Sequence, residues 1–504
     1  MATPVPVPRT IAEVFDPVLA TNPERELLVT RSGRYTYAEV DRLADRAAHA
    51  LASLGVQTGD RIAGSLPNDT AVVIAFHGAM RLGAVWVGVN RALAPPEKEY
   101  LLTDSGTSLL LCDAPTAEQL ADSGGVQVVV VGEGESGGVW SDAMVAADDS
   151  PFPADVDPHA PAGIAYTSGT TGYPKGAVHS QYNLLLPGAA LVASRGYGPD
   201  LRKGDSLPLT ILNMQVLTTL LVAQAGGCSI IMDRIDAPGV AQWIRDERVM
   251  LWNGPPATVH SLANDDDVRP DDLASLVEAW VGGADCPEAI RSAFEKKFAV
   301  PITSTYGLSE APTVVTIEDR GGVHVPDACG RALPHLDVRI VDGEVCVGPV
   351  TEGEWAGAYR LMLGYWQNAD ATAESLQGGV LHTGDLGDLD ADDFLHLRDR
   401  KSLVIIRGGA NVYPAEVERV VHDVEGVVAC AVMGIADERL GERVAAAVEL
   451  APGAAVTAED LTRHCLAHLA RYKVPERWVF VDGFPRNSMG KIQRRDLASL
   501  FASA

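Results

Sequence analysis

The sequence has little positive charge and no long apolar run. It holds 40 Lys and Arg residues against 67 Asp and Glu residues, for a formal net charge of −27. This excess of negative charge excludes nonspecific electrostatic binding to nucleic acid or to an anionic membrane surface. It does not exclude a polyanionic small ligand, because a local cluster of amides and a lysine can override the overall charge. Without an apolar segment near Met1 or a long uncharged run, we expect no signal peptide and no membrane span.

Cysteine is scarce as well, and its spacing carries no metal motif. The seven cysteines are scattered singly, with no CxxC and no metal-type cluster with nearby histidines: Cys112, Cys228, Cys286, Cys329, Cys346, Cys430 and Cys465. Isolated cysteines in a long chain predict a reducing, cytoplasmic setting. We therefore interpret them as buried small hydrophobic residues rather than catalytic nucleophiles.

What is present is enough apolar sequence for several cores. The chain has 504 residues, of which 47% are hydrophobic, so two or more domains are expected. Residues 1–160 and 161–322 alternate apolar runs with amphipathic stretches, which favours two α/β units. Residues 323–398 carry short β-type runs with glycine turns, which predicts a small β-rich, barrel-like part. Residues 401–504 predict a compact α+β tail.

Individual elements follow from local patterns. The predicted helices are Ala71–Leu82, one that Pro414 opens, and one that the capping pair Thr457 and Asp460 starts. The predicted strands are Ser108–Cys112, Val126–Val131, Gly163–Thr167, Ser229–Met232, Val338–Val341, Val345–Val347, Val427–Met433 and Ala445–Leu450.

The strongest chemical signal is the segment Thr167-Ser168-Gly169-Thr170-Thr171-Gly172-Tyr173-Pro174-Lys175-Gly176. It follows a predicted strand and precedes a segment that can become helical. Its glycines allow the backbone to approach a phosphate closely, its amides and hydroxyls are donors, and Lys175 adds a positive charge. The spacing is not GxxxxGK[ST], so this is not a Walker loop. The alternative is a polar surface turn.

Four further segments are weak singly and could be ordinary turns or surface charges. They are Tyr306-Gly307-Leu308-Ser309-Glu310, Thr383-Gly384-Asp385, Arg400, and Pro485-Arg486-Asn487-Ser488-Met489-Gly490-Lys491-Ile492. In this order and at these separations, together with the Thr167–Gly176 segment, they resemble the adenylate-forming superfamily. That superfamily contains acyl-CoA synthetases, stand-alone adenylation enzymes of peptide synthesis and beetle luciferases. The resemblance runs from about Tyr35 to Lys491.

The resemblance implies an AMP-binding N-terminal domain at 1–400 and a mobile C-terminal domain at 401–504. It implies an acid–thiol ligase that uses ATP and Mg²⁺, joins a small-molecule carboxylic acid to AMP, and passes the acyl group to coenzyme A. A carrier protein is the other acceptor that the family allows.

The resemblance also implies roles for particular residues. Those implied to bind ATP are Thr167, Ser168, Gly169, Thr170, Thr171, Gly172 and Lys175 at the phosphates, and Gly282, Gly283, Ala284, Tyr306, Gly307, Ser309, Asp385 and Arg400 at the adenosine. Lys491, Glu310 and Lys175 are the implied catalytic residues, and Thr170 and Glu310 the implied metal ligands. Lys401 and Ser402 stand at the hinge. Gly408 and Gly409 would line the thiol channel after the tail rotates.

The implied acid pocket is lined mainly by small and apolar residues. Its residues are Asn213, Met214, Trp252, Gly254, Gly282, Gly307 and Leu308. With no evident charged partner for an amino group, we expect a mostly hydrophobic acid. Asn213 either bonds a ring hydroxyl of the acid or is a polar core residue.

Three positions depart from the family pattern. A Phe-His pair common in the family is replaced by Thr210-Ile211, which predicts a roomier, more apolar passage. The hinge aligns with Ser402, and Asp399 stands where a glycine is usual. Two other functions stay open beside acyl-CoA ligation: loading of a carrier protein, and nucleotide binding without turnover. An oxidative light emitter is disfavoured, because nothing in the sequence selects for oxygen chemistry.

Overall fold

The computed structural model describes residues 8–120, 124–132, 138–153, 155–167, 174–282, 286–400, 403–407, 410–437, 440–469, 471–486 and 492–501. The strands in this part of the chain are β1 Glu26–Val29, β2 Arg34–Thr36, β3 Arg61–Ser65, β4 Val85–Gly88, β5 Leu109–Cys112, β6 Gln127–Val130, β7 Pro161–Thr167, β8 Lys175–Ser180, β9 Arg202–Asp205, β10 Cys228–Ile231, β11 Leu251–Gly254, β12 Glu278–Gly282, β13 Ile302–Leu308, β14 Thr313–Ile317, β15 Arg331–Ala332, β16 Leu336–Val341, β17 Glu344–Pro349, β18 Gly364–Tyr365, β19 Leu376–Gln377, β20 Val380–Leu389, β21 Leu395–Arg400, β22 Ile405–Arg407, β23 Ala410–Val412, β24 Val427–Asp437, β25 Gly441–Leu450 and β26 Arg477–Val481.

The α-helices alternate with these strands. They are α1 Asp16–Leu19, α2 Tyr37–Ser53, α3 Thr70–Leu82, α4 Pro95–Ser105, α5 Ala114–Gln119, α6 Val139–Ala146, α7 Gln181–Arg195, α8 Leu212–Gln215, α9 Leu221–Ala225, α10 Ala237–Glu247, α11 Pro256–Asn264, α12 Glu288–Phe298, α13 Ala369–Ser375, α14 Pro414–His422, α15 Ala458–His468 and α16 Arg494–Leu497. A π-helical turn, Val216–Leu220, joins α8 to α9. None of the helices in the described ranges combines the length and the apolar character that crossing a bilayer requires.

Local chemistry explains where the helices begin and end. Helix α2 starts at a capping box in which Thr36 and Glu39 bond each other's backbone amides. Helix α3 has Asp69 as its N-cap and ends at Gly83, whose φ of 75° is left-handed. The predicted capping pair of Thr457 and Asp460 starts α15.

The largest sheet has nine strands among the described residues, in the order β15-β14-β13-β12-β11-β9-β10-β1-β2. Strands β13, β12, β11, β9, β10 and β1 are mutually parallel. Strands β2 and β14 run antiparallel to them at the two ends of this set, and β15 pairs antiparallel with β14. Parallel strands point their carboxyl ends to one edge, which is where α/β sheets bind ligands. The carboxyl ends of β12 and β13, at Gly282 and Leu308, therefore supply backbone to that edge.

A second sheet has the order β18-β8-β7-β4-β3-β5-β6. Strands β7 and β8 form an antiparallel hairpin, and β18 pairs with the outer side of β8. The segment after the Thr167–Gly176 loop was expected to become helical. It begins instead as β8, which is paired on both sides, and helix α7 starts only at Gln181.

The two α/β sheets are interleaved in sequence, which corrects the predicted split at residue 160. Strands β1 and β2 cross into the nine-stranded sheet, and β7 and β8 join the strands of the first third. Composition along the chain cannot show this exchange, because strand order depends on long-range pairing. The outer domain limits at 400 and 401 remain predictions.

The remaining two sheets are smaller. Strands β16, β17, β20, β19 and β21 form an antiparallel sheet within 336–400, close to the predicted β-rich part. Strands β22 to β26 form a sheet that packs with α14 and α15 around a separate hydrophobic core, as the predicted α+β tail requires.

Most cysteines are packed inside, in agreement with their interpretation as small hydrophobic residues. Cys112, Cys228, Cys346, Cys430 and Cys465 are buried, whereas Cys286 and Cys329 are half-buried. Burial raises the pKa of the Cys112 thiol to about 12 and that of Cys465 to about 11. Such thiols are poor nucleophiles at neutral pH.

Candidate active site

Several predicted catalytic and ATP-binding residues in the described part of the chain lie where three sheets meet. Strand β13 ends at Leu308, and the turn that follows carries Ser309 and Glu310. The β7–β8 hairpin brings Lys175 toward this turn, and β20 brings Asp385 from the antiparallel sheet. Segments more than 200 residues apart in sequence thus form one site.

Tyr365 joins two of the predicted groups. Its hydroxyl donates a hydrogen bond of 2.7 Å to Glu310 Oε1, and Lys175 Nζ lies 5.4 Å from the centre of its ring. A cation at that distance from an aromatic ring is attracted to it. One tyrosine on β18 therefore orients the predicted phosphate-binding lysine and the predicted metal-binding carboxylate together. Its sequence surroundings gave no signal of this role.

A second tyrosine connects the nine-stranded sheet to the antiparallel sheet. The buried Tyr306 hydroxyl donates to Asp385 Oδ2 at 2.7 Å. The Asp385 amide in turn donates to Thr383 Oγ1 at 3.1 Å, and Arg400 is the register partner of Asp385 across β20 and β21. The predicted neighbours Asp385 and Arg400 are thus brought together. Tyr306 is buried, and the structure shows that its hydroxyl positions Asp385. Stacking of Tyr306 on adenine stays a prediction.

His179, which sequence reasoning missed, anchors the turn before Glu310. Its Nε2 lies 2.6 Å from the Ser309 carbonyl oxygen, so Nε2–H donates. Burial lowers the pKa of His179 to about 4, which keeps the ring neutral at pH 7. Lys175 and His179 are four residues apart on β8 and so share a face, a period-2 signal that could have identified it.

Two glycines make room for the close packing of β12, β13 and β14. A Cβ on Gly307 would lie 1.9 Å from the Thr313 carbonyl oxygen, and one on Gly282 would lie 2.2 Å from Thr305 Oγ1. Gly307 is exposed while Tyr306 beside it is buried, so the backbone at Gly307 is open to a ligand. Residues without a side chain are required at both places.

The predicted acid pocket is only partly assembled. Asn213 Nδ2 donates to Ser309 Oγ at 3.4 Å, which places Asn213 beside the Glu310 turn. Met214 and Leu308 are buried. Trp252 does not join them: it is fully buried in the core under α10, α11 and α12, whereas Leu308 belongs to another cluster.

The face on which Trp252 lies is the reason for this difference. Its ring would meet a Cβ on Gly254 at 2.2 Å, so the two residues occupy one face of β11, and that face packs on helices. The sequence predicted that Trp252 and Gly254 lie in the acid pocket, but the sequence does not show which face of β11 they occupy. The structure corrects Trp252 to a core residue.

The departure at Thr210-Ile211 has a clear structural setting. Thr210 is buried and its carbonyl oxygen packs against Gly88, where a Cβ would come within 1.9 Å. Ile211 is half-buried at the start of α8. Thr210 therefore serves packing, and the predicted roomier passage stays a prediction.

Several predicted residues lie outside the described part of the chain. They are Ser168, Gly169, Thr170, Thr171, Gly172, Gly283, Ala284, Lys401, Ser402, Gly408, Gly409 and Lys491, as well as the side chain of Arg400. Thr167, at the edge of this gap, is the register partner of Lys175 in the β7–β8 hairpin. Their roles stay predictions.

The fold has three sheets followed by a small α+β domain. Where the three sheets meet, tyrosines contact acidic and basic side chains. This is the architecture of an adenylate-forming enzyme. Residues 15–366 match the model of the AMP-binding enzyme family, and residues 416–491 match that of the AMP-binding enzyme C-terminal domain. The chain belongs to this family, within the adenylate-forming superfamily. The predictions of the superfamily, of the fold class and of an AMP-forming acid–thiol ligase are confirmed.

Relatives with named activities cover nearly the whole chain. A long-chain-fatty-acid–CoA ligase, FadD13 of Mycobacterium tuberculosis, is 33% identical over 93% of this chain and 94% of its own. A feruloyl-CoA synthase of Amycolatopsis is 35% identical over 92% and 94%. A fatty acid–[acyl-carrier-protein] ligase, ScoC of Streptomyces coeruleorubidus, is 34% identical over 92% and 91%.

A solved structure agrees with the fold. ATP-bound MatB from Rhodopseudomonas palustris is 27% identical, with a TM-score of 0.89 over 98% of this chain and 99% of that chain.

Proposed function

We propose that the protein is an ATP-dependent acyl-CoA ligase. It activates a mostly hydrophobic carboxylic acid as acyl-AMP with release of pyrophosphate, and then forms a thioester with coenzyme A. The observation that carries the proposal is the pair of tyrosine hydrogen bonds, Tyr365 to Glu310 and Tyr306 to Asp385, which unites groups from three sheets. The relatives that make CoA thioesters support it.

Glu310 and Lys175 have the chemistry for the triphosphate end. Tyr365 donates to one carboxylate oxygen of Glu310, and a carboxylate offers the hard oxygen ligand that Mg²⁺ prefers. Bound there, with Thr170 as a further ligand, Mg²⁺ would offset the negative charge of the phosphate oxygens. Lys175 adds a second positive charge beside it.

Asp385 has the chemistry for the sugar. Its carboxylate, held by Tyr306, accepts hydrogen bonds of the kind that ribose hydroxyls donate. Arg400 stands opposite it in register. The exposed backbone at Gly307 would receive the adenosine, and Gly282, Gly283, Ala284 and Ser309 are proposed to contribute to its binding.

Lys491 completes the charge balance in the first half-reaction. A carboxylate must attack a phosphorus atom surrounded by negative oxygens, so a lysine that reaches both anions stabilises the transition state more than the ground state. After adenylation the tail would turn about Lys401 and Ser402, bringing Gly408 and Gly409 to the thiol entrance.

The acid itself is expected to be apolar. Met214 and Leu308 present apolar side chains, and Asn213 is a polar group beside them. Aromatic and fatty acids appear in the names of the relatives. We infer an aromatic, polycyclic or aliphatic acid rather than an amino acid.

Carrier-protein loading is the second candidate, favoured by the likeness to a carrier-protein ligase. Pyrophosphate release across a panel of fatty, cinnamic, benzoic and amino acids, with CoA or with a pantetheinylated carrier protein, separates the two. Thioester formation on CoA, seen by mass spectrometry, supports the proposal. A thioester that forms only on the carrier protein supports carrier-protein loading instead. No release with any acid would leave a nucleotide-binding protein without turnover.

A further inference from the structure

Three potential metal ligands meet in the antiparallel sheet. Glu344 and Cys346 are two residues apart on β17, so their side chains project from the same face. His382 on β20 is the register partner of Cys346. One ligand atom from each residue lies within 4.8 Å of the other two. The wide sequence separation hides this trio from spacing arguments, which predicted no metal-type cluster.

The distances match the edges of a tetrahedral site. His382 Nδ1 lies 3.5 Å from Cys346 Sγ and 3.2 Å from Glu344 Oε2. With metal bonds of about 2.3 Å to sulfur and about 2.0–2.1 Å to nitrogen and oxygen, tetrahedral zinc has edges of roughly 3.5 Å and 3.3 Å. His382 Nδ1 is therefore already spaced from the other two ligand atoms as two edges of such a site require, and all three atoms lie within 4.8 Å of one another.

The exposure of the three side chains allows an ion to enter, and their chemical types determine which ion is preferred. Cys346 is fully buried, while the side chains of His382 and Glu344 are 24% and 13% exposed, so an ion can enter from their side. Thiolate with imidazole favours zinc over magnesium. Ligating carboxylates are commonly held by a hydrogen bond, and here the Gly384 amide donates to Glu344 Oε1 at 2.8 Å.

We propose that Glu344 Oε2, Cys346 Sγ and His382 Nδ1 bind one Zn²⁺ ion, with water in the fourth position. Binding forms a zinc–sulfur bond and releases the thiol proton to solvent. The site is distinct from Glu310, and its existence does not depend on the proposed function. It adjoins the segment of β20 that carries Asp385, because Glu344 Oε1 accepts the hydrogen bond from the Gly384 amide.

The test uses the full chain, purified without a histidine tag and stripped with a chelator. Titration with Co²⁺ is expected to give a thiolate-to-cobalt charge-transfer absorption that saturates at one equivalent and is abolished by added Zn²⁺. Cys346→Ser is expected to remove the absorption. His382→Gln and Glu344→Gln are expected to weaken Zn²⁺ binding by at least about tenfold, because loss of even an outer-shell partner of a metal ligand costs about 10–100-fold in affinity.

Glu344→Gln keeps an amide oxygen for the Gly384 hydrogen bond, so it tests the ligand without removing that support. His396→Gln is the matched control, because His396 lies on the neighbouring strand β21 in a histidine–carboxylate pair outside the trio, with its Nε2 3.3 Å from Asp390 Oδ2. Circular dichroism checks the fold of each variant. A cobalt absorption that survives in Cys346→Ser, or a Zn²⁺ affinity that is equal in wild type and in a folded Glu344→Gln, overturns the proposal.

Discussion

The Tyr365 hydroxyl lies 2.7 Å from Glu310 Oε1, across the junction between the seven-stranded and nine-stranded sheets. The same ring faces Lys175 Nζ at 5.4 Å. Removing the hydroxyl and removing the ring therefore perturb different partners, which allows the two contributions to be measured separately.

Tyr365→Phe removes the hydrogen bond to Glu310 and keeps the ring beside Lys175. A hydrogen bond to a charged group contributes about 1.5–3 kcal/mol. We expect the Mg²⁺ concentration for half-maximal pyrophosphate release to rise about tenfold, with a smaller change in the KM for the acid. Tyr182→Phe, which loses a hydroxyl bonded to the Ala358 carbonyl, is the control. An unchanged Mg²⁺ requirement would show that Glu310 is held by other contacts.

Tyr306→Phe removes the hydroxyl that orients Asp385. Because Asp385 is proposed to bind the ribose, we expect the KM for ATP to rise about tenfold, which corresponds to about 1.4 kcal/mol. Initial rates of pyrophosphate release at varied ATP measure it, with Tyr182→Phe again as the control. Equal KM values in wild type and variant would separate Asp385 from nucleotide binding.

Lys491→Ala tests the charge that the tail is proposed to supply. Loss of a group that acts mainly in the transition state is expected to slow adenylation by about 100-fold or more. ATP affinity, measured by calorimetry, should change by less than about threefold, because the ground state depends on it little. Arg463→Ala, a charge loss at a side chain that is 76% exposed, is the matched control in the same domain. A loss of ATP affinity as large as the loss of rate contradicts this role.

Gly307→Ala tests the close approach of β13 to β14. The new methyl would lie 1.9 Å from the Thr313 carbonyl oxygen, so the strands must separate. We expect a loss of stability of about 3 kcal/mol or more, together with a severe loss of adenylation. Gly198→Ala is the control, since a Cβ there meets nothing within 4 Å. Equal melting temperatures for the two variants would refute the packing argument.

Buried histidines predict that acid destabilises the protein. Burial lowers the pKa to about 4 in His179 and to about 3 in His77 and His335, from an ordinary value of 6.5. Below pH 6.5 the unfolded chain binds protons at these rings that the folded chain does not. The stability they contribute is therefore complete above pH 6.5 and falls as pH decreases toward 4.

Each such histidine contributes up to about 1.4 kcal/mol per pH unit in that window. Thermal unfolding between pH 7.5 and 5.0 measures the slope, and His335→Gln is expected to flatten it. His468→Gln, at an exposed position, is the control. A melting temperature independent of pH across this range would contradict the prediction.

Local elements were predictable because their signals are local. Helix α3 follows from its apolar run between an aspartate cap and a glycine, and the capping pair of Thr457 and Asp460 starts α15 as expected. Among the described site residues, Asp385 and Arg400 do lie opposite each other. The interleaving of the two α/β sheets was not predictable, because pairing of β1 with β10 joins strands that are far apart in sequence.

The identity of a side chain suggested what it could do chemically, but it did not show which residues would surround it in the fold. Trp252 is an apolar residue within the short strand β11, and that pattern suits a pocket and a core equally well. The structure places it under the helices, because the face of β11 on which it lies packs there. Tyr365, His179 and Glu344 escaped notice because each acts through a partner distant in the chain.

By itself the sequence determined the family, the ordered motifs and some of the described elements, since caps, periodicity and the spacing of glycine, hydroxyl and lysine act over short stretches. The tertiary structure alone decided which side chains meet: Tyr365 with Glu310, Tyr306 with Asp385, and Cys346 with His382. These contacts depend on strand order and register, which are set by packing of the whole chain and are not readable from any one segment.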